Sequence, residues 1–248
     1  MQFFSKLFSL FAGIGSELRV SVDAIATLHV LVNEMKRHFG LEKIRMLDVP
    51  CGDMQYMPQF LESRNDVDYT GVDIVEELID RHREKYARHP WIFRKTDIVA
   101  DSSFVNNYDL IVSRSMLQHL NNDAIFKIFN KFSVQTRHPS FLLVTTFSNL
   151  RSNIDLDTSR YGRFRPVNLE LPPFRLEPPL CMFRDGPYRK KLTNFMGLWR
   201  LPLMSTSVSD CKRNEMFNAS INKGMFYSCV NWELRTIHVH HNKAEREQ

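Results

Sequence analysis

The sequence has few cysteines and few glycines, and it has no long apolar run. Its 248 residues include 4 cysteines and 9 glycines. No two cysteines form a C-x-x-C pair, so we expect neither a zinc site nor a dense disulfide framework, and a cytoplasmic, reducing compartment is the default. A membrane-spanning helix needs about 20 consecutive apolar residues, and no run approaches that length. We therefore expect no membrane span.

The beginning of the chain leaves one alternative for the compartment. Residues 7–12 are mostly apolar, they follow Lys6, and small residues come after them, which is the order found in a weak secretory signal. The glycosylation sequon at Asn218 matters only if the chain is secreted. The secretory pathway is therefore the alternative to a cytoplasmic location.

The excess of positive charge is small and scattered. The formal net charge is +5 at pH 7, and the cations concentrate only in short groups such as residues 189–191. A solvated surface explains this distribution about as well as a nucleic-acid footprint does. Composition therefore identifies no macromolecular partner.

Apolar strands and amphipathic helices alternate strictly up to residue 147. Such alternation indicates an α/β fold with a parallel sheet and right-handed crossovers. The spacing of apolar residues predicts strands at residues 44–49, 67–74, 91–95, 108–113 and 140–147, and helices at residues 16–39, 54–63, 76–88 and 122–136.

The pattern changes after this point. Residues 148–179 are rich in proline, arginine and aspartate and are too long for an ordinary connection, so we predict a substrate loop or lid there. Residues 179–184 and 194–203 predict an antiparallel pair that closes the sheet. The expected fold is therefore a doubly wound, seven-stranded, mostly parallel sheet with an antiparallel last strand.

We divide the chain into three parts. Residues 1–15 form an N-terminal segment, residues 16–203 form the α/β domain, and residues 204–248 form an irregular extension. Within that extension, residues 225–239 resemble one more strand.

Polar side chains follow four successive predicted strands. In doubly wound sheets, ligands bind beyond the carboxyl ends of the strands, so polar residues at four such ends indicate a binding site more strongly than any one of them. These residues are Asp48 with Gly52 and Asp53, then Asp73, then Asp97, and finally Ser113 with Arg114.

Two of these acids suit an adenosine. Asp73 follows Asp48 by about 25 residues, near the roughly 20-residue offset at which an acid binds ribose hydroxyls. Ile74 offers an apolar face to a purine. Asp97 is positioned to accept a hydrogen bond from an exocyclic amine, and Ile98 can pack on the ring.

The turn after the first strand excludes a pyrophosphate. Dinucleotide sites use a glycine-rich turn whose amides approach the phosphates closely. Here Pro50 has no N–H, Asp53 would repel a phosphate, and Met54 crowds the turn. A cationic adenosine ligand fits better, because Asp48 and Asp53 then attract it. S-adenosylmethionine has that chemistry.

The chain resembles the class I S-adenosylmethionine-dependent methyltransferases, which have a Rossmann-like fold, over about residues 15–203. It is similar in particular to a branch that has D-x-P-C-G-D in place of the glycine-rich first motif, with Pro50 and Met54 at positions that usually hold glycine. The motifs are LDVPCGD at 47–53, YTGVDIV at 69–75, TDI at 96–98, YDLIVSRSMLQHL at 108–120 and FLLVTTF at 141–147, with YGRFRPVNLELPPF at 161–174 and FMGLWRL at 195–201 for the branch.

The resemblance implies a role for each strand end. The loop with Asp48, Pro50, Gly52 and Asp53 holds the methionine portion of the cofactor. The acid after the second strand, Asp73, holds the ribose. The acid after the third strand, Asp97, meets the adenine. Ile74, Ile98 and Ser113 are expected to contribute further cofactor contacts because of their places at the strand ends.

Four further residues are candidates for catalysis and acceptor binding. His119 follows the fourth strand and is the candidate general base, although a packing role or a cofactor-loop role is the alternative. Arg114 either holds the acceptor or pairs with Asp53 or Asp97. Arg163 and Arg165 are candidates for clamping an acidic or phosphorylated acceptor, with a solvated loop as the alternative.

Other polar residues suggest no chemistry. His238, His240 and His241 alternate on a predicted terminal strand without a carboxylate or cysteine partner, so we expect no metal site. We expect Cys51 to be a buried structural thiol.

The sequence therefore predicts methyl transfer to a hydroxyl group of a saccharide or small metabolite. No N-P-P-Y-type tetrapeptide follows the fourth strand, which argues against methylation of a nucleobase amine, so we expect a small-molecule or glycan acceptor. The alternatives are an RNA or protein methyltransferase and a non-catalytic S-adenosylmethionine-binding protein of the same fold.

Overall fold

Helices and strands alternate along most of the chain in a computed structural model. The structure describes residues 21–101, 103, 107–137, 139–156, 164–185 and 194–204, together with the backbone of Phe226–Cys229. The α-helices of this part are α1 (Val22–Phe39), α2 (Met57–Leu61), α3 (Glu76–Lys85) and α4 (Asn122–Phe132). The strands are β1 (Ile44–Asp48), β2 (Val67–Asp73), β3 (Ile92–Lys95), β4 (Leu110–Ser113), β5 (Ser140–Thr146), β6 (Cys181–Arg184), β7 (Phe195–Leu201) and β8 (Phe226–Cys229).

All of these strands belong to one sheet. The strand order is β3-β2-β1-β4-β5-β7-β6-β8. The five strands from β3 to β5 pair in parallel, whereas β7 is antiparallel to both β5 and β6. This confirms the predicted Rossmann-like, mostly parallel sheet and its closing antiparallel pair.

The described sheet has one strand more than the seven predicted. β8 lies inside the strand-like segment predicted in the C-terminal extension, and it pairs antiparallel with β6. Without it, β6 would present unpaired backbone groups at the sheet edge. The extension therefore contributes to the sheet.

Several helix ends differ from the sequence prediction. α1 ends as predicted, because Gly40 adopts a left-handed conformation with φ 62° that closes the helix; residues 16–20 of the predicted helix lie outside the described residues. α2 starts at Met57, later than predicted, because Met54 has φ 56° and cannot be helical. α4 begins after Asn121, whose side chain accepts from the Ala124 N–H, but it ends at Phe132 rather than near residue 136.

Two apolar cores cover the two faces of the sheet. On the α1 face, Leu28, Leu31 and Met35 of α1 pack with Met46 of β1 and Val112 of β4. On the α4 face, the core contains α4 residues, inward residues of the same strands and part of the long loop: Ile125, Ile128, Phe132, Leu47, Ile111, Val167, Leu169, Phe174 and Leu176. Because both faces are covered, every residue of β4 and β5 is buried.

The later part of the predicted substrate loop is consequently anchored. Val167 and Leu169 are fully buried, and the Phe147 N–H donates to the Val167 carbonyl at 2.9 Å. This stretch runs along the end of β5 and forms part of the core.

Two cysteines of the described part differ in state. Cys51 is a buried free thiol, and burial raises its pKa well above the usual range, which suits the structural role expected of it. Cys181 at the start of β6 is disulfide-bonded. Among the described helices, none is both long enough and apolar enough to cross a bilayer.

Candidate functional site

The carboxyl ends of four neighbouring strands meet at one edge of the sheet. Asp48, the last residue of β1, pairs in register with Gly71 of β2 and Val112 of β4. The backbone N–H of Thr96, just after β3, donates to the carbonyl oxygen of Asp73 at 2.9 Å. The polar residues that follow these strands are therefore brought together, as the alternating pattern predicted.

Asp48 is the most buried acid of this edge. Its residue surface is 1% exposed, and the Tyr69 hydroxyl donates to Oδ2 at 2.9 Å. Within the described residues, Oδ1 has no hydrogen-bond partner. Burial raises the pKa of Asp48 to about 7, against the opposing effect of the Tyr69 hydrogen bond. An unsatisfied, buried carboxyl oxygen is costly unless a ligand group completes it.

The turn after β1 is tied to β2. The Cys51 N–H donates to the Val72 carbonyl at 2.8 Å, and the Gly52 N–H donates to Asp73 Oδ2 at 3.1 Å. On the other side of the turn, Nε2 of His82 in α3 lies 2.7 Å from the Gly52 carbonyl oxygen. The peptide bond before Pro50 is cis.

Two residues of this turn have positive φ. Gly52 has φ 55° and Met54 has φ 56°, a region that glycine adopts more readily than methionine. The Met54 side chain is buried, and its Sδ lies 3.1 Å from the Tyr69 hydroxyl oxygen. Met54 therefore fills the space under the turn, where a glycine would leave a gap.

Asp73 both shapes the turn and faces the site. Its Oδ2 accepts from the Gly52 N–H, and its Oδ1 accepts from the Val75 N–H at 3.1 Å. Each carboxylate oxygen has two lone pairs, so both oxygens keep one for a further donor. Beside it, the Ile74 side chain is 59% exposed, which leaves an apolar face available.

The residues after β3 fit the prediction only in part. Asp97 is exposed, and its Oδ1 accepts from the Val99 and Ala100 N–H groups at 2.9 and 3.3 Å. Ile98 is 7% exposed and packs in the α4-face core. Ile98 therefore has little exposed surface left for the predicted contact with a purine ring.

Two polar side chains flank the first and fourth strands. Asp53 is partly buried, and the Gln55 amide donates to its Oδ2 at 2.6 Å. Ser113, the last residue of β4, is fully buried, and its Oγ has no partner in the described part of the chain.

Arg114 pairs with neither of the acids that the sequence suggested. Its Nε and Nη2 donate to Asp185 Oδ1 at 2.8 and 2.7 Å, and its Nη1 donates to Ser21 Oγ at 3.1 Å. The guanidinium carbon lies 4.9 Å from the centre of the Tyr56 ring. Asp185 follows β6 directly, and no local sequence pattern relates it to a residue 71 positions earlier.

His119 lies on a short 3-10 helix, Leu117–His119, directly after β4. Its side chain is exposed, and its ring packs edge-to-face on Phe164 at a centroid distance of 5.9 Å. Phe164 is 53% exposed and packs in the same manner on the buried Phe147 at 6.0 Å. These three rings form an aromatic cluster, and the loop residue Phe164 is the member that sequence reasoning missed.

Arg165 is an internal anchor and is not placed to clamp a ligand. Its guanidinium donates to the carbonyl oxygens of Ile154 and Leu120 at 2.9 and 3.0 Å and to Asn122 Oδ1 at 2.8 Å. Burial lowers its pKa. Arg165 therefore fastens the long loop to the segment that carries His119.

The remaining predicted residues lie elsewhere. Arg163 and the C-terminal histidines at 238, 240 and 241 lie outside the described residues. In the part of the chain that is described, no cluster of three or more His, Cys, Asp and Glu side chains is suited to a metal ion.

The burial of Asp48 generates a prediction about stability. The carboxyl group has a raised pKa, so its neutral form is favoured in the folded state and ionisation costs stability as the pH rises from about 4 through 7. Asp48→Asn removes that cost while its amide oxygen can still accept from Tyr69. We expect the variant to unfold with a higher free energy than the wild type at pH 8, by up to about 4 kcal/mol, and to show little gain near pH 4, as measured by urea unfolding.

A second buried acid is the control. Asp109 accepts from the Arg45 N–H at 2.8 Å and from Arg137 Nε at 2.6 Å, so Asp109→Asn should lose stability at pH 8. A gain for Asp48→Asn that does not change with pH would contradict the assigned cost.

Part of the chain matches the sequence model of a known protein family. Residues 46–137, less than half of the chain, match a family model described as a methyltransferase domain. None of the curated protein sequences matches the chain.

Solved structures share its fold. The chain is similar to 1,6-didemethyltoxoflavin-N1-methyltransferase from Burkholderia thailandensis, solved with 1,6-didemethyltoxoflavin and S-adenosylhomocysteine bound, with 16% identity over 81% of this chain and 86% of that chain and a TM-score of 0.57. The N-methyltransferase NodS from Bradyrhizobium japonicum WM9 is 14% identical over 73% of this chain and 99% of that chain, with a TM-score of 0.50.

A third structure matches over a shorter stretch. PKMT2 from Rickettsia typhi, in complex with AdoHcy, is 19% identical over 44% of this chain, with a TM-score of 0.39, and the match spans only 22% of that longer chain. Residues 46–137 of the chain thus match a methyltransferase domain, and the two longer structural matches show that the chain shares the fold of those methyltransferases.

Proposed function

We propose that the protein transfers the methyl group of S-adenosylmethionine to a hydroxyl group of a saccharide or small metabolite. The observation that carries the cofactor part is the buried Asp48 carboxyl group with one unpartnered oxygen at the carboxyl end of β1. A polar atom left unsatisfied at that edge of a doubly wound sheet suits a ligand that donates hydrogen bonds and carries positive charge.

The other strand ends suit the rest of this cofactor. The free lone pairs of Asp73 suit ribose hydroxyls, the exposed Ile74 suits a purine face, and Asp97 suits the exocyclic amine of adenine. Gly52 and Asp53 of the turn would border the methionine portion, where Pro50 offers no N–H to a phosphate.

The negative charge of this edge disfavours a phosphorylated ligand. Asp48, Asp53 and Asp73 lie on one turn and two neighbouring strand ends, and each would repel a phosphate once ionised. A sulfonium and an ammonium group are attracted by the same carboxylates.

When bound, the cofactor supplies a methyl group that is already activated by its sulfonium. The protein then needs to align the acceptor and exclude water, which is worth several kcal/mol by proximity alone. Ser113 and the segment after β4 lie next to Asp48 in the sheet, so they are suited to border the reacting groups.

His119 is suited to take the proton of the acceptor hydroxyl. A hydroxyl group is a poor nucleophile until a base receives its proton, and the exposed imidazole follows the strand end beside Asp48. The half-exposed ring of Phe164 next to it offers an apolar face to the acceptor. The similar Burkholderia structure holds a small molecule, 1,6-didemethyltoxoflavin, which supports an acceptor of that size.

Binding of the cofactor is testable without the acceptor. We expect S-adenosylmethionine at about 100 times its Kd to stabilise the protein by about 2.7 kcal/mol, seen as a raised melting temperature, and Asp73→Ala to abolish the rise because the ribose loses its acceptor. Asp68→Ala is the matched control, because Asp68 lies at the other end of β2 and pairs with the exposed Lys43.

Three results would change the proposal. If S-adenosylmethionine does not raise the melting temperature of the wild-type protein, both the enzyme hypothesis and the binding-protein hypothesis are wrong. A rise without any S-adenosylhomocysteine release in the presence of cell extract would favour a non-catalytic binding protein. Methyl label found in RNA or protein would replace the small acceptor.

The role of His119 has its own prediction. We expect His119→Ala to lower methyl transfer from labelled S-adenosylmethionine into the small-molecule or glycan fraction of cell extract by roughly 10²- to 10⁴-fold, with cofactor binding by calorimetry retained. His89→Ala is the control. His89 is also exposed, but it stacks on Trp91 just before the amino end of β3. Equal transfer by the His119 variant and the wild type would exclude the base.

The disulfide at Cys181 bears on the compartment. Disulfides persist in oxidising compartments, so this bond favours the secretory alternative over the cytoplasmic location expected from the sequence. We therefore expect the chain made in cultured eukaryotic cells to lose mass on treatment with an N-glycosidase, through the sequon at Asn218. An unchanged mass for both the wild-type chain and Asn218→Gln would favour the cytoplasm.

A further inference from the structure

Three charged side chains are buried at the same edge of the sheet and on the same face. Asp48, Arg114 and Asp185 are 1%, 8% and 2% exposed. Asp48 pairs in register with Val112 of β4, and Arg114 lies two residues beyond Val112, so its side chain points to the same face. Tyr69, which binds Asp48, and Tyr56, which lies against Arg114, both belong to the α1-face core.

The guanidinium of Arg114 is held on several sides. Asp185 accepts two of its N–H groups and Ser21 accepts a third, while the Tyr56 ring covers one of its flat faces. Asp185 is in turn held by the Asn194 amide, which lies 3.3 Å from its Oδ2. A guanidinium bound in this way has little surface left for an acceptor molecule, so its main effect is that of a fixed positive charge.

Burial is the main cause of the raised pKa of Asp48, and the groups around it act in both directions. From β2, the nearby Asp73 carboxylate repels a second negative charge, while the Tyr69 hydroxyl stabilises it. From the turn, Cys51 and Tyr56 face Asp48 and bring no positive charge. Among the described residues, the positive charge of Arg114 also lowers the pKa of Asp48, by less than burial, Tyr69 or Asp73 changes it.

We propose that Arg114, oriented by Asp185, is a positioning residue that favours the carboxylate form of Asp48, against the effect of burial, for the ammonium group of the ligand. This inference rests on the proposed binding of S-adenosylmethionine. It replaces the acceptor contact that the sequence suggested for Arg114 with a role exerted through Asp48. The acceptor enters on the side of His119 and Phe164.

The two members of the ion pair must then have opposite effects. Arg114→Met removes the positive charge beside Asp48, so the carboxylate form appears only at a higher pH. Asp185→Asn leaves the Arg114 charge unneutralised and removes a nearby negative charge, so the carboxylate form appears at a lower pH. A residue that only supports the fold would weaken binding in both variants without moving the pH midpoint in opposite directions.

The experiment is the pH profile of S-adenosylmethionine affinity between pH 5.5 and 8, measured by calorimetry on the full chain. We expect the affinity of the wild-type protein to rise with a midpoint near pH 7, where Asp48 ionises. The midpoint should move up by about one pH unit in Arg114→Met and down in Asp185→Asn. The α-amino group of the ligand titrates near pH 8 in every case, so only the differences between proteins are compared.

Two further variants guard against a loss of folding. Arg114→Lys keeps the positive charge, so the pH midpoint of binding should stay at the wild-type value. The affinity itself can fall, because lysine cannot make both of the hydrogen bonds that Arg114 donates to Asp185. The double variant Arg114→Met with Asp185→Asn removes both charges and should return the midpoint toward that of the wild type.

The matched control is a partly buried ion pair at the opposite end of β4. Arg137 Nε donates to Asp109 Oδ1 at 2.6 Å, and Asp109 precedes β4. Arg137→Met should lower the melting temperature and leave the pH midpoint of binding unchanged.

Each outcome bears on one idea. Equal midpoints in the wild type, Arg114→Met and Asp185→Asn, or shifts of the same sign, would overturn the role of Arg114 while leaving the cofactor in place. No binding of S-adenosylmethionine by the wild-type protein at any pH would instead overturn the proposed function.

Discussion

The site is organised around a carboxyl group that the fold buries without fully satisfying it. Asp48 ends a strand near the centre of the sheet, and both faces of that sheet are covered by apolar cores. One of its oxygens accepts a hydrogen bond from the Tyr69 hydroxyl, and the other has no hydrogen-bond partner within the described residues. Leaving a buried acceptor unpaired costs about 1 to 3 kcal/mol, and a chain keeps such a cost where a ligand removes it.

The surroundings of Asp48 hold this arrangement in place. The turn that follows it is bound to β2 through Cys51 and Gly52 and to α3 through His82. Met54 fills the volume beneath, in a conformation that usually belongs to glycine. The unusual first motif is therefore a packed, rigid turn, and its rigidity preserves the direction in which the free Asp48 oxygen is presented.

Two of the three arginines that the sequence suggested as ligand contacts form internal cross-links instead. Arg114 joins the end of β4 to the end of β6, and Arg165 joins the long loop to the segment after β4. Guanidinium groups suit such places because they present up to five donors in a plane. These cross-links fasten the segment after β4, which carries His119, to the long loop and to the end of β6.

The sequence by itself determined the alternation of strands and helices, the closing antiparallel pair and the set of acids at the strand ends, because apolar periodicity and strand-end position are local properties. It could not place the start of α2, since the left-handed Met54 follows from packing under the turn. Nor could it pair Arg114 with Asp185 or bury Ile98 and Arg165. Only the tertiary structure decided these, because burial and charge pairing depend on groups far apart in the chain. For the same reason only the tertiary structure shows that, within the described residues, one oxygen of Asp48 has no hydrogen-bond partner.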